Sequence, residues 1–150
     1  MIDRDLVYRK ITLITPDLNA LEKLASRAKK DFLSDDVATA VAERYLERVI
    51  GRMIDINYHL ITSAGEPPPK DYYLSFIQLS KRPKVLEEDF SVRIAHAAGL
   101  RNRIAHEYDD MDSGLLFEGM CAAMKDIPLY IKAILKYLES QGKGRNPDEC

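Results

Sequence analysis

The stretch Arg101-Asn102-Arg103-Ile104-Ala105-His106-Glu107-Tyr108 places a guanidinium, an amide, an imidazole and a phenol close together in the chain. Arginine offers a fixed fork of donors that matches a phosphate, and histidine exchanges protons near neutral pH. Such a set can bind and cut a phosphodiester. RNA fits it best, because RNA carries its own nucleophile in the 2′-hydroxyl and needs no serine or cysteine from the protein.

The elements that must position these side chains are helices. Apolar residues recur at spacings of three and four, and nothing alternates as a strand would. The first stripe is Val7, Ile11, Ile14, Leu18, Leu21, Ala25, Ala28 and Phe32, with a kink or restart expected at Thr15-Pro16 because proline lacks a backbone donor. Ser34-Asp35-Asp36 supplies N-cap oxygens for a long second helix through Ala38, Ala42, Leu46, Val49, Met53, Ile56 and Leu60, ending near Gly65. Gly65-Glu66-Pro67-Pro68-Pro69 reads as a stiff loop, and Tyr72 to Leu79 as a short helix stopped before Pro83. Leu86, Phe90, Ile94, Ala97 and Ile104 form the helix that carries the motif, ended by the polar run from Glu107 to Ser113. Leu116 to Leu138 is the last stripe, with Pro128 as a second expected kink. Four long helices and one short one bury their stripes most economically as an antiparallel bundle, so the expected fold is all-α. One domain over residues 1–140 is expected, followed by a disordered tail at 141–150 rich in Gly, Lys and Pro.

Composition bounds the function classes. With 46% hydrophobic and 31% charged residues the chain is not disordered, and no apolar run approaches the ~20 residues needed to span a bilayer. The start, Met1-Ile2-Asp3-Arg4-Asp5, lacks a secretory signal's apolar core, so the cytoplasm is the expected location, with no membrane association. Cys121 and Cys150 make no disulfide framework, and no Cys/His cluster has metal-ligand spacing, so neither a metal nor another cofactor is expected. A net charge of −2 gives no global attraction to a polyanion, which leaves local basic clusters to do that work.

Helical geometry constrains the motif. Residues 101 and 106 are about 140° apart on a straight helix, too far to share one face. Either the helix ends or deforms near His106, or a second molecule completes the site. A twofold dimer brings the same patch together with its copy, so two copies of Arg101 and His106 can converge on one groove. Gly99, just before the motif, would let a partner helix or a nucleic-acid backbone come close.

These residues resemble the HEPN superfamily of helical-bundle ribonucleases and, within it, the HepT-type toxins of toxin–antitoxin pairs. The signature is an arginine, a polar residue, three variable positions and a histidine, followed in the HepT branch by any residue and a tyrosine; Arg101, Asn102, His106 and Tyr108 fill those places. Gly99-Leu100 is similar to the branch's usual approach to the motif, and the helix order is similar over roughly residues 3 to 139. Pro16 departs from the usually continuous first helix. The resemblance implies a dimeric, metal-independent endoribonuclease acting on tRNA or mRNA. His106 would be the acid and base, Arg101 the phosphate stabiliser, and Asn102 would orient the histidine or bind phosphate. It also implies that Tyr108 is modified with AMP by a cognate MntA-like nucleotidyltransferase antitoxin, with magnesium and ATP belonging to that partner.

Structural readings stand beside these roles. Arg101 and His106 can be a solvated arginine and a helix-terminal histidine favoured by the dipole, and Tyr108 an ordinary half-buried phenol. Arg103, with Arg93 and Lys84, can rim an RNA site or simply face water. His59 and His96 read as packing or surface histidines, and Tyr72 and Tyr73 as packing residues ahead of base-stacking ones. An alternative function is a non-catalytic subunit that binds a nucleotidyltransferase and helps present its substrate. A purely structural homodimer is a third.

Overall fold

A computed structural model describes residues 1–106 and 112–142, which form six helices and no strand. These are α1 (Arg4–Ala25), α2 (Lys29–Leu33), α3 (Asp36–Ser63), α4 (Tyr72–Gln78), α5 (Glu88–His106) and α6 (Ser113–Gly142). The fold is all-α as expected, with four long helices but two short ones rather than one. Among the described residues no helix is long and apolar enough to cross a membrane.

Aspartates start three of the helices. Asp3, Asp35 and Asp71 have extended backbones, and each side chain accepts from the N–H three residues on, those of Leu6, Ala38 and Leu74. This satisfies a donor that the first turn leaves without an intrahelical partner. Beyond the end of α3, Gly65 takes φ +86°, a left-handed conformation that costs glycine little.

The first stripe belongs to two helices, which corrects the expectation at its two ends. α1 does not restart at Pro16 but runs through it. Side-chain donors attend the carbonyls around the proline: Thr12 Oγ1 donates to Tyr8 O at 2.8 Å, Thr15 Oγ1 to Ile11 O at 3.1 Å, and Arg52 Nη1 to Leu13 O at 2.9 Å. The break comes instead at Ser26–Ala28, where Ala28 turns extended (ψ 134°). Arg27 then donates to Asp35 at 3.0 Å, and Phe32 swings inward to full burial against Phe117, ring centroids 5.3 Å apart. α6 likewise runs through Pro128 and on to Gly142, so Gln141 and Gly142 are helical rather than part of a tail, while the remainder of the expected tail lies outside the described residues.

α3 is the central element and touches all five others. Leu46, Val49, Ile50, Met53, Ile56, Leu60 and Ile61 are fully buried on it, met by Ile14 and Leu21 of α1, Phe76 of α4 and Ile134 and Leu138 of α6. A hydrogen-bonded polar cluster around Tyr130 enters this core. Burial pushes the Tyr130 phenol well above its ordinary pKa, so it stays protonated. Its hydroxyl lies 3.1 Å from Met53 O and 2.5 Å from Asn57 Oδ1, and Asn57 Nδ2 donates to Ser75 Oγ at 3.1 Å. The chain of bonds continues from Ser75 Oγ to Tyr72 O at 2.7 Å, tying α6, α3 and α4 together.

The cap of α3 has a pH signature. The Ala38 N–H first, and then the Arg27 guanidinium, hold the Asp35 carboxyl below its ordinary value. A depressed folded-state pKa contributes stability that is complete above the unfolded value and is lost as pH falls through the folded one. Asp35→Ala is therefore expected to lower Tm at pH 7, with the gap to the unmodified protein closing as the pH drops below 4. Thermal unfolding followed by circular dichroism across that range checks it, and an unchanged gap at all pH values would contradict it.

Candidate functional site

The motif helix α5 packs on α3 and α4, and its Arg101 points into a cleft of about 670 Å³ between those helices and α1. The cleft is strongly basic. Lys10 from α1, Arg44, Arg48 and Arg52 from α3, and Arg101 from α5 line it, against Glu47 and Asp55 as acids. Gly51 and Ile54 of α3, with Tyr58 and Tyr72, complete the wall.

Arg101 differs from the other cations there. Its guanidinium lies over the Tyr72 ring, 5.3 Å from the centroid, and it has no ion pair among the described residues. Its Nε is buried and has no hydrogen-bond partner among the described residues. A buried donor left unmade costs roughly 1–3 kcal/mol, so this guanidinium is held in place by stacking and lacks an acceptor. Tyr72 is itself held by the edge of Tyr58, centroids 6.2 Å apart, and Tyr58 donates its hydroxyl to Pro69 O at 3.2 Å. Burial, followed by the nearby Tyr72 and Asp71, pushes the Tyr58 phenol up, keeping it a donor at neutral pH.

The other cleft cations have partners. Lys10 pairs with Asp55 at 2.9 Å. Asp17, a carboxylate only 6% exposed on α1, takes Arg52 at 2.8 Å and Arg48 at 3.3 Å on the same oxygen. Arg44 meets Glu47 only at 3.9 Å.

The motif residues do not converge within one chain. His106 is the exposed last residue of α5 and Asn102 is exposed, and neither lines the cleft that holds Arg101. Because α5 stays helical through His106, the angular separation of about 140° between Arg101 and His106 persists. Arg103 is exposed on a separate groove of about 400 Å³ between α5 and α6, shared with Arg93, His96 and Gly99. Arg93 is committed there to the buried Asp126, with Nη2 and Nε at 3.1 and 3.2 Å, and Lys84 lines a different depression beside Lys136. A Cβ at Gly99 would meet nothing within 4 Å among the described residues. Tyr108 lies outside the described residues.

His59 Nε2 accepts the Asp3 N–H at 2.8 Å, and His96 sits edge-on to Tyr73, neither of them lining the cleft of Arg101. On the cleft itself, reading from sequence was less complete. It missed the α3 arginines and undervalued Tyr72. Arg44, Arg48 and Arg52 stand at intervals of four on the polar side of an obvious helix, a readable signal, whereas the pairing of Asp17 with two of them leaves no trace in local pattern.

The profile of a family described as Ribonuclease HepT-like matches residues 14–134. A protein named tRNA nuclease HepT from Aphanizomenon flos-aquae (strain 2012/KM1/D3) is 31% identical over 137 residues, covering 91% of this chain and 92% of its own. Bacillus subtilis YutE, described as a cytosolic protein of unknown function, superposes with a TM-score of 0.81 at 18% identity over 93% of each chain. A tri-AMPylated HEPN toxin of Shewanella oneidensis, solved in complex with an MNT antitoxin, superposes with a TM-score of 0.78 at 20% identity, covering 91% of this chain and 99% of that one. A chain from a toxin–antitoxin structure with AMP-PNP does so at 0.79 and 19% identity, over 88% and 98%. At such identities the superpositions speak for the fold.

The double pairing of Asp17 joins α1 to the cleft wall, and removing a buried partner leaves its counter-charge uncompensated. Asp17→Ala is expected to cost about 3 kcal/mol, the low end for a broken buried pair, because Arg48 keeps access to water. Urea unfolding measures this, and a loss below about 1 kcal/mol would contradict it.

Proposed function

This chain belongs to the Ribonuclease HepT-like family, and from that membership we propose that it is an endoribonuclease and the toxin of a toxin–antitoxin pair. The single observation that carries the assignment of the site is Arg101: a guanidinium stacked on Tyr72 at a basic cleft, with a buried Nε that has no acceptor. A phosphate oxygen is the acceptor such a group would take.

In this reading the RNA 2′-oxygen attacks the adjacent phosphorus while His106 accepts its proton. The bond to the 5′-oxygen breaks, that oxygen takes a proton from an imidazolium, and the products are a 2′,3′-cyclic phosphate and a 5′-hydroxyl. Arg101 stabilises the charge that builds on the phosphoryl oxygens, and Asn102 orients the histidine or binds phosphate. No step calls for a metal. A homodimer supplies what one chain lacks, since a twofold axis lets copies of Arg101 and His106 face a common groove despite their separation around α5. Arg103 adds charge at its rim. The substrate is tRNA or mRNA. The Aphanizomenon flos-aquae relative, a tRNA nuclease by name, favours tRNA.

The second partner is a nucleotidyltransferase antitoxin of the MntA kind, a reading supported by the toxin–antitoxin neighbours. Its ATP would give up AMP to the Tyr108 hydroxyl, the phenolic oxygen bonding to the α-phosphorus as pyrophosphate leaves. The added phosphate and base would repel and displace RNA.

Incubated with tRNA or mRNA in excess EDTA, the purified protein is expected to leave cyclic-phosphate or phosphate ends and to spare DNA, which has no 2′-hydroxyl. His106→Ala is expected to lose ~10²–10⁴-fold in cleavage rate and Arg101→Ala ~10²–10³-fold. Binding without cutting would instead favour a non-catalytic partner subunit. Intact mass after co-expression with the genomic neighbour tests the modification: AMP additions are expected on the unmodified chain and absent from Tyr108→Phe, and their persistence in that variant would move the modified residue elsewhere.

A further inference from the structure

We propose that Arg44 and Arg48 of α3 form a second phosphate subsite, which takes the backbone phosphate next to the one held by Arg101 and so grips single-stranded RNA over consecutive nucleotides. The identity of the polyanion rests on the ribonuclease reading; the subsite itself rests on the cleft.

The partners of each cation decide which are available. Lys10 is neutralised by Asp55 at 2.9 Å. Arg52 is spent on Asp17 and on Leu13 O, with its side chain 17% exposed. Arg48 reaches the same Asp17 oxygen from farther away, 3.3 Å, and is 39% exposed. Arg44 is 68% exposed with its carboxylate at 3.9 Å, beyond hydrogen-bond range. Among the described residues this leaves Arg101 and Arg44 without a hydrogen-bonded carboxylate, and Arg48 as the more exposed of Asp17's two partners, in a chain whose net charge is −2.

Arg44 and Arg48 are four residues apart, so they project from one face of α3 about 6 Å apart along its axis, close enough for both long side chains to reach one phosphate. Arg101 faces them from α5 across the same cleft. Gly51 keeps the floor between them clear, since a Cβ there would meet nothing within 4 Å. Tyr58 and Tyr72 add aromatic surface to the wall, and a basic groove with aromatic walls is the arrangement that holds single strands rather than duplex.

The test uses the full chain and a fluorescent single-stranded RNA oligomer carrying 2′-O-methyl groups, which can be bound but not cut. Anisotropy titrations over a range of KCl are expected to give a log–log salt slope that falls by about 0.7 for each arginine removed in Arg44→Gln and Arg44→Gln/Arg48→Gln. Kd is expected to rise about tenfold per arginine. Gly51→Glu is expected to weaken binding similarly while keeping or raising Tm, because glutamate favours helix and the space is open. Variants that bind with the original Kd and slope would overturn the subsite, as would a loss of binding accompanied by a change in oligomeric mass in solution, which would make these arginines an interface between chains. If Arg48→Gln disturbs folding through Asp17, Arg44→Gln and Gly51→Glu decide the matter. The two readings separate cleanly: RNA cleavage by the unmodified protein with unaltered binding in the variants sinks the subsite alone, whereas lost binding in the variants without any cleavage sinks the ribonuclease reading alone.

Discussion

A single carboxylate organises the basic side of this molecule. Asp17 is buried on α1 and takes two guanidinium groups from consecutive turns of α3, so the attraction that fastens one helix to the other also determines where the cleft wall stands. The same Arg52 serves Leu13 O near the proline, so the turn that Pro16 weakens is buttressed from α3. Without an anion at position 17, two positive groups would face each other at a packed interface with nothing to offset their repulsion. Asp17 thus helps a helix with a largely apolar inner face carry arginines along its outer one.

The motif arginine depends on a second set of contacts that starts in the core. The Tyr130 hydroxyl reaches Asn57, Asn57 reaches Ser75, and Ser75 holds the carbonyl of Tyr72, whose ring lies under Arg101. A change deep between α6 and α3 is therefore connected by hydrogen bonds to the orientation of a surface guanidinium. The result is a pre-positioned cation with an unmet donor, an arrangement that loses little side-chain freedom when an anion arrives. His106 has no comparable support among the described residues. It stands at the end of its helix, about 140° around it from Arg101 and outside the cleft.

Much of the architecture was legible from residue order. The later long stripes, the aspartate cap at 35 and the glycine beyond α3 are signals carried within a turn or two of chain, and each landed where it was read. Where the reading failed, the cause is not local. The restart allowed at Pro16 does not occur, and α1 runs on through it with Arg52 of α3 donating to Leu13 O nearby. The real break at Ser26–Ala28 has no proline or glycine to announce it, and it exists because Phe32 reaches the core only if the chain turns.

By itself the order of residues determined the helical class, the approximate ends of the helices and the cluster of Arg101, Asn102, His106 and Tyr108 as a chemical candidate, because periodicity, capping and motif spacing are short-range properties of the chain. Tertiary structure alone decided which cations are paired among the described residues, that Arg101 lies on Tyr72 in a cleft shared with α1 and α3, and that His106 and Arg103 face elsewhere. Those outcomes depend on through-space partners such as Asp17 and Arg52, 35 residues apart in sequence. Charge pairing and burial act over ångströms between helices, and no local pattern records them.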